Sequence, residues 1–396
     1  MSKLVTLDSE IFTRGVEEIV TKSGLAERLA SKRRLRIKLG IDATGGLHIG
    51  HAVNLWKIRA LQEFGHKAVI IIGEFTTRIS DPTGRVKSRP LLTSDEIRKN
   101  SVAIRREIGR VLRTDPEVFE LRRNTEWYNT MKTGKFLGLA SLVTHARLIE
   151  RDMFQERIRQ GAEITVSEFL YPILQGYDSV MVRSDITIIG SDQLFNEHFG
   201  RLFQEKLGQR PQIIMTHQIL PGIGGGEKMS KSLGNTINLA DTPDDKFGKA
   251  MRIPDELTIP YLEAYTDEPM AKISECARAI SGGTNPMDVK LVLASALVRR
   301  YHGNAAAKRA RESFLSRFSS KLTDMAVAVS LPEGTYVVME LLVRLGFASS
   351  KSEARRLVVS HAVRINGSVC ADASGRAEIL HGATVQVGRR RIAKIT

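Results

Sequence analysis

Two short runs of the chain carry groups suited to phosphate chemistry. The first is His48-Ile49-Gly50-His51, preceded by the turn residues Asp42-Ala43-Thr44-Gly45-Gly46-Leu47. Histidines three positions apart share one face of a helix's first turn. The free N–H groups and positive dipole end of that turn form an anion site, where imidazoles donate hydrogen bonds to phosphate oxygens. Gly50 withholds a side chain where a nucleotide base could stack closely. With no third ligand nearby, the pair does not read as a metal site. The second run is Lys228-Met229-Ser230-Lys231-Ser232, which follows Gly224-Gly225-Gly226. Two ammonium groups on a glycine-hinged loop can swing onto a triphosphate and neutralise charge moving to the leaving pyrophosphate. A third constellation is polar rather than charged. If residues 167–178 are helical, Tyr171, Gln175 and Asp178 stand at i, i+4 and i+7 on one face. Apolar neighbours and few Lys or Glu turn that stripe inward, where it must hydrogen-bond to something.

Elements of the right kind surround these runs. Residues 35–42 alternate before the turn and read as a strand. Ile49, Val53, Trp56, Ala60, Leu61 and Phe64 then recur at helical spacing. Residues 68–73 are a β-branched apolar run that suits a buried parallel strand. Strand, helix and strand at this length make a βαβ unit, the start of a doubly wound α/β domain. Further strands are expected at 185–190 and near 212–216, with 93–182 as a mostly helical insertion between the halves of the sheet. The pattern is helical again from about 244 to 322. A linker is expected at 331–335, then two helical patterns (337–345 and 352–360) and short strands around 363–366, 383–387 and 391–395.

The composition fits this reading. With 396 residues, 42% of them hydrophobic, the chain allows two or three domains with cores of their own. No apolar run approaches the ~20 residues of a membrane span, and the first residues lack the pattern of a secretion signal. Two cysteines, Cys276 and Cys370, cannot form a disulfide framework or a CxxC site, so a cytoplasmic setting is expected and a structural zinc is not. The net charge of +15 points to a polyanionic partner. The last 62 residues hold ten Lys/Arg against four Asp/Glu, a disproportionate share of it.

In this order and setting, the two phosphate-facing runs resemble the HIGH and KMSKS signatures of class I aminoacyl-tRNA synthetases. The segment Tyr171-Pro-Ile-Leu-Gln175-Gly-Tyr177-Asp178 resembles that of the tyrosyl-tRNA synthetases, over about residues 33–240 and again after 335. The resemblance implies a Rossmann-like doubly wound parallel sheet with a helical insertion, then an α-helical domain and a small α+β S4-like RNA-binding domain. The expected divisions are 1–235 (catalytic, with the insertion at 93–182 and the KMSKS loop at 222–235), 236–328 (helical, anticodon region) and 335–396 (S4-like).

The same resemblance implies tyrosine, ATP with Mg2+, and tRNA as substrates, and a homodimer joined through the insertion; no tightly held metal or membrane contact is implied. Residue by residue, it places Thr44, His48, His51, Lys228 and Lys231 in catalysis. Gly40, Asp42, Gly50, Gly190, Asp192, Met229 and Ser230 complete the ATP site. Asp81, Tyr171 and Gln175 would hold the substrate ammonium group, Asp178 its phenol and Gln193 its carboxyl. Arg355, Arg356 and Arg364 would face RNA phosphates.

Lys38, where many members have tyrosine, and the KMSKS spelling resemble the bacterial subgroup of the family. Two places depart from the family pattern. The family usually has proline where this chain has Ala43, and one more residue before Leu47. Thr77, Arg78 and Ser80 replace small or apolar residues. The alternatives are a specialised paralogue that activates tyrosine or a related amino acid for another pathway, a tryptophan-specific relative, an HxGH nucleotidyltransferase and a non-catalytic RNA-binding protein.

Overall fold

A computed structural model describes residues 6–79, 92–324, 326–388 and 391–396. Contacts divide the chain into two units, Met1–Lys308 and Arg309–Thr396.

The first unit is built on a six-stranded sheet: β1 (Val16–Val20), β2 (Arg36–Asp42), β3 (Lys67–Gly73), β4 (Phe119–Arg123), β5 (Ile186–Gly190) and β6 (Ile213–His217). The spatial order is β1-β6-β5-β2-β3-β4. All pairings are parallel except β1 with β6. The central strands β2, β3, β5 and β6 are mostly buried; β3, β5 and β6 are apolar nearly throughout, as strands covered on both faces require, whereas β2 alternates.

From β2 the chain winds outward through β3 to β4, then returns to β5 on the other side of β2. That reversal leaves a crevice beyond the carboxyl ends of β2 and β5, at Asp42 and Gly190. The helix Ile49–Glu63 follows β2 and buries Leu55, Ile58 and Leu61 in the core that holds Ile37, Leu39 and Ile70.

In this sheet, two strands fall where the sequence reading had none; in the second unit, so do Val327–Val329, Ser368–Val369 and Arg376–Ile379. β4 lies inside the segment expected to be helical, and it extends the sheet at one edge. Its Phe-Glu-Leu-Arg-Arg carries too few apolar residues to stand out. β1 reads Val-Glu-Glu-Ile-Val, the composition of a half-exposed edge strand. Otherwise residues 94–181 hold six helices. The last, Val166–Met181, packs closely on the helix Leu194–Lys206: a Cβ at Gly176 would stand 2.8 Å from the Cβ of Phe199, and one at Gly200 2.7 Å from the Ser179 hydroxyl. Helices Pro243–Met251, Thr258–Tyr265 and Met270–Ser281 follow, then Pro286–Asp324, broken at Gly303 with φ 81°.

The second unit carries helices Val338–Arg344 and Lys351–Val359 against short strands. Strands Ser368–Val369, Val363–Ile365, Thr384–Val387, Arg391–Ile395 and Val327–Val329 form a sheet in that order, and Gly334–Val337 pairs with Arg376–Ile379. Leu341, Leu342, Val358 and Val385 are fully buried. Leu331, in the segment read as a linker, also packs in this core. Among the described residues no helix is long and apolar enough to cross a membrane, and no three His, Cys, Asp or Glu side chains cluster to hold a metal ion.

Candidate active site

At the mouth of the crevice, the first phosphate-facing run pairs through its backbone with the stretch that follows the second. The Ile49 N–H donates to the Ile237 carbonyl at 2.9 Å, and the Leu239 N–H donates to the Leu47 carbonyl at 2.9 Å. The stretch just beyond Lys228–Ser232 is thereby laced to the start of the Ile49–Glu63 helix. One first-turn N–H expected to face an anion is taken by this pairing. In return, Lys231 is carried onto the turn: a Cβ at Gly45 would stand 2.8 Å from its Nζ, and Gly45 has φ 139°. Met229 is buried, with its sulfur 3.8 Å from where a Gly50 Cβ would be. That Cβ would also stand 2.9 Å from Nδ1 of His48, so Gly50 makes room for a protein imidazole and not only for a ligand.

The His48 and His51 rings lie against each other at a 45° tilt with centroids 3.9 Å apart, and the His48 N–H donates to Nδ1 of His51 at 3.3 Å. Burial, then mutual repulsion and the charge of Lys231, pushes His48 down to about 2. Burial, Lys231 and Lys228 push His51 down to about 4. Both rings are therefore neutral near pH 7. With Nδ1 of His51 accepting a hydrogen bond, its proton sits on Nε2 and is available to a ligand.

The lysine loop is held by its own local bonds. Asn235 accepts from the Ser230 N–H at 2.7 Å and donates to the carbonyls of Glu227 and Lys228. Gly225 and Gly226 take φ near +73°, which favours glycine. Lys228 reaches across to Asp192 at 2.7 Å, so the groups expected at the phosphates and at the ribose are paired with each other.

Deeper in the crevice, a continuous polar chain links the end of β2 to the helix Val166–Met181. Tyr171 and Thr76 donate to the two carboxylate oxygens of Asp42, at 2.9 and 2.8 Å. Asn124 donates to Thr76 at 3.1 Å and to Asp178 at 3.5 Å, and Trp127 donates its indole N–H to Asp178 at 2.9 Å. Burial raises the Asp178 carboxyl to about 7, against the opposing pull of Lys38, Tyr128, Trp127 and Asn124.

Gln175 is set between Glu197, to which it donates at 2.8 Å, and Asn196, from which it accepts at 2.8 Å. Asn196 also donates to Gln193 at 3.0 Å. Beneath them Lys38 and Glu197, each 1% exposed, form a salt bridge at 2.8 Å. Ser179 and Gln212 complete the set of partners at 2.6 and 2.7 Å. Lys38 thus supports Gln175 through Glu197. Removing one partner of such a pair strands the other charge, at a cost of about 3–5 kcal/mol. Glu197→Gln is expected to lose about that much stability, read as a lower urea midpoint, whereas Lys38→Met with Glu197→Leu recovers most of it.

The crevice thus gathers Gly40, Asp42, Thr44, His48, Gly50, His51, Tyr171, Gln175, Asp178, Gly190, Asp192, Gln193 and the Lys228–Lys231 loop; Asp81 lies outside the described residues. Gly40 is open, with nothing within 4 Å of a Cβ built there, so no protein packing demands its bareness. Several supporting residues escaped the sequence reading: Thr76, Asn124, Trp127, Asn196, Glu197, and Asn100 and Glu107 on the helix Ser94–Ile108. Asn100 donates to the Ala43 carbonyl at 2.8 Å, and Glu107 accepts from the Leu47 N–H. Two departures from the family pattern also meet here. Ala43, unlike proline, has an N–H, and it donates to Thr77 Oγ1 at 2.8 Å, so the substituted threonine satisfies the donor that the missing proline exposes.

Residues 30–319 match the family model described as tRNA synthetases class I (W and Y). The chain belongs to this family of class I tRNA synthetases. A Thermotoga maritima member named tyrosine–tRNA ligase is 43% identical, over 98% of this chain and 96% of that one. The Methylococcus capsulatus tyrosine–tRNA ligase is 41% identical, over 96% and 97%. Among solved synthetase structures, the Archaeoglobus fulgidus tyrosyl-tRNA synthetase complexed with L-tyrosine shares the fold at TM-score 0.60 and 22% identity, over 76% of this chain and 97% of that one. A C-terminally truncated mitochondrial synthetase of Aspergillus nidulans does so at 0.64 and 20%, over 78% and 94%.

Residues 338–378 match an S4 domain. In this part of the synthetase chain, Arg355 and Arg356 project from the helix Lys351–Val359 into solvent. Arg364 is half-buried and donates to the Gly367 carbonyl at 3.0 Å.

Proposed function

We propose that the protein is a tyrosine–tRNA ligase, activating L-tyrosine with Mg-ATP and passing it to tRNA(Tyr). The observation that carries the amino-acid choice is Asp178, a buried carboxylate already approached by N–H donors and set to accept one more hydrogen bond. A phenol supplies that bond, and phenylalanine does not.

In the first step a tyrosine carboxylate oxygen attacks the α-phosphorus in line, the bond to the β-phosphate bridge breaks, and pyrophosphate leaves with its Mg2+. In the second, the terminal ribose hydroxyl of the tRNA attacks the adenylate carbonyl and AMP departs. Neither step needs a protein nucleophile, so catalysis is positioning and charge stabilisation. Thr44 and His48 contact the departing phosphates, and neutral His51 offers Nε2–H beside the adenosine. Lys228 exchanges Asp192 for phosphate oxygens, which frees Asp192 for the ribose. Lys231, already over the turn, closes from the other side. Tyr171, Gln175 and Asp81 hold the ammonium group, and Gln193 the carboxyl. ATP–pyrophosphate exchange across the amino acids tests the reading: exchange dependent on tyrosine supports it, and exchange with tryptophan or none at all overturns it. Exchange with tyrosine but no charging of tRNA would identify the specialised paralogue.

Arg355 and Arg356 are proposed to meet tRNA phosphates. Each lost contact should reduce the slope of log affinity against log salt by about 0.7–0.9. Replacing both with alanine should therefore flatten the slope by about 1.4–1.8 while leaving pyrophosphate exchange intact. The protein is proposed to work in the cytoplasm as a homodimer joined through the helical segment 93–182, where Val102, Leu137, Ile158 and Val166 are at least half exposed. Sedimentation of the full chain tests the dimer.

A further inference from the structure

The adjacent glycines of the turn before His48 each leave room for a charged side chain. Gly45 makes way for Lys231, and at Gly46 a Cβ would stand 2.8 Å from the Glu107 carboxylate. Glu107, at the end of the helix Ser94–Ile108, is 5% exposed and accepts from the Leu47 N–H.

Leu47 is also where the turn is laced to the stretch beyond the lysine loop. Its carbonyl takes the Leu239 N–H, the Ile49 N–H reaches Ile237, and His48 stands opposite Asn238. Two backbone bonds between such short stretches do not by themselves hold a register in water. On the far stretch the anchor is Lys246, from the helix Pro243–Met251. It is fully buried, its Nζ donates to the Asn238 carbonyl at 2.5 Å and lies 5.0 Å from the centre of the Tyr301 ring. Burial pushes this ammonium down to about 8, while Asp241 and Glu107 act to keep it charged. The pairing is thus held on one side by a buried carboxylate and on the other by a buried ammonium, and the two attract each other.

Burying a lysine is costly. A methionine would pack in its place but could not hold a carbonyl. What the grip fixes is the path of the chain between the turn Lys231–Leu233 and Asn238, and with it the point where the Lys231 ammonium meets the phosphate turn. We propose that Glu107 and Lys246 are positioning residues for the activation step, clamping segments 47–49 and 237–239 together so that Lys231 is set over the leaving phosphates. This deepens the activation reading and rests on it, although not on the choice of tyrosine.

Single-turnover adenylate formation tests the clamp, with the amino acid that supports exchange in the wild type held at saturation and ATP varied. Lys246→Met should lower the maximal rate by about 10–10²-fold, the loss that a small misplacement of a catalytic group brings. Affinities for ATP and for the amino acid should hold, because Lys231 acts on charge that develops only in the transition state. The amount of adenylate formed per chain, which counts competent sites, should hold as well. Glu107→Leu should lose a similar factor, and Glu107→Gln, whose amide oxygen still accepts from Leu47, should keep most of the rate. In a Lys231→Ala background the Lys246→Met loss should largely vanish, since both changes remove the same interaction. An unchanged rate in Lys246→Met, an undiminished loss in the Lys231→Ala background, or a loss confined to adenylate yield or amino-acid affinity would each overturn the clamp. All three are read against an active wild type; a wild type that exchanges with no amino acid overturns the activation reading itself, and the clamp with it.

Discussion

Lys231→Ala is expected to slow tyrosine-dependent pyrophosphate exchange by about 10²–10³, the range for losing one preorganised stabiliser of transition-state charge. Its Nζ rests where a Gly45 side chain would begin, directly over the turn that leads to His48. The ammonium is therefore in place before ATP arrives and needs no large excursion to follow charge onto the leaving pyrophosphate. A loss of this size could instead reflect protonation of the histidines, since Lys231 helps hold both in the neutral form. Burial is the larger cause for each, however, and it survives the substitution. Tyrosine affinity should change little, because its candidate partners lie on the helix Val166–Met181 and at Gln193. Single-turnover adenylate formation and equilibrium tyrosine binding separate the two effects. Equal exchange rates in mutant and wild type would remove Lys231 from the chemistry.

The same residues show how far a sequence can be read. The histidine pair and the stripe at 171, 175 and 178 are legible because helical spacing decides what they share, and the lysine run because its ammonium groups directly follow a glycine stretch. The strands β3, β5 and β6 are legible because strands covered on both faces are apolar nearly throughout, and β2 because its apolar residues alternate before a turn. β1 and β4 are not, since an edge strand with one exposed face carries charges that a loop would also carry. Nor is the shell that holds the site. Glu197 looks like any helical glutamate until Lys38, 159 positions earlier, is found beneath it. Trp127 looks like a core residue until its indole N–H is seen on Asp178. Thr77 looked like an anomaly; only its bond to the Ala43 N–H shows that two departures from the family pattern, 34 positions apart, compensate each other. Long-range pairings of this kind leave no periodicity, because neither partner's position constrains the other's in the sequence.

Asp178→Asn is expected to cost tyrosine specificity more than it costs fold. A site built to hydrogen-bond a hydroxyl rejects the analogue lacking it by about 10⁴–10⁵, a figure for which tyrosine-specific synthetases are themselves the reference case. The asymmetry arises because phenylalanine leaves a buried acceptor unpaired. In the variant, the amide must turn its oxygen toward the Trp127 and Asn124 donors and thus its NH2 toward the ligand, where a phenol O–H no longer finds an acceptor. The ratio of kcat/KM for tyrosine over phenylalanine should fall by at least tenfold, with most of the loss on tyrosine. Stability should move the other way with pH. The carboxyl titrates near 3.9 when unfolded and at about 7 in the folded protein, where burial raises it. Its protonated form is therefore the one that folding favours, and that contribution is fully present below about pH 4 and lost as the pH rises through 7. Asparagine has no such loss. The free variant should gain on the wild type between pH 5 and pH 8, measured as the difference in urea midpoints. A difference that stays flat over that span would mean the wild-type carboxylate is already ionised in the folded protein, and that its readiness for the phenol comes from the Trp127 and Asn124 bonds alone.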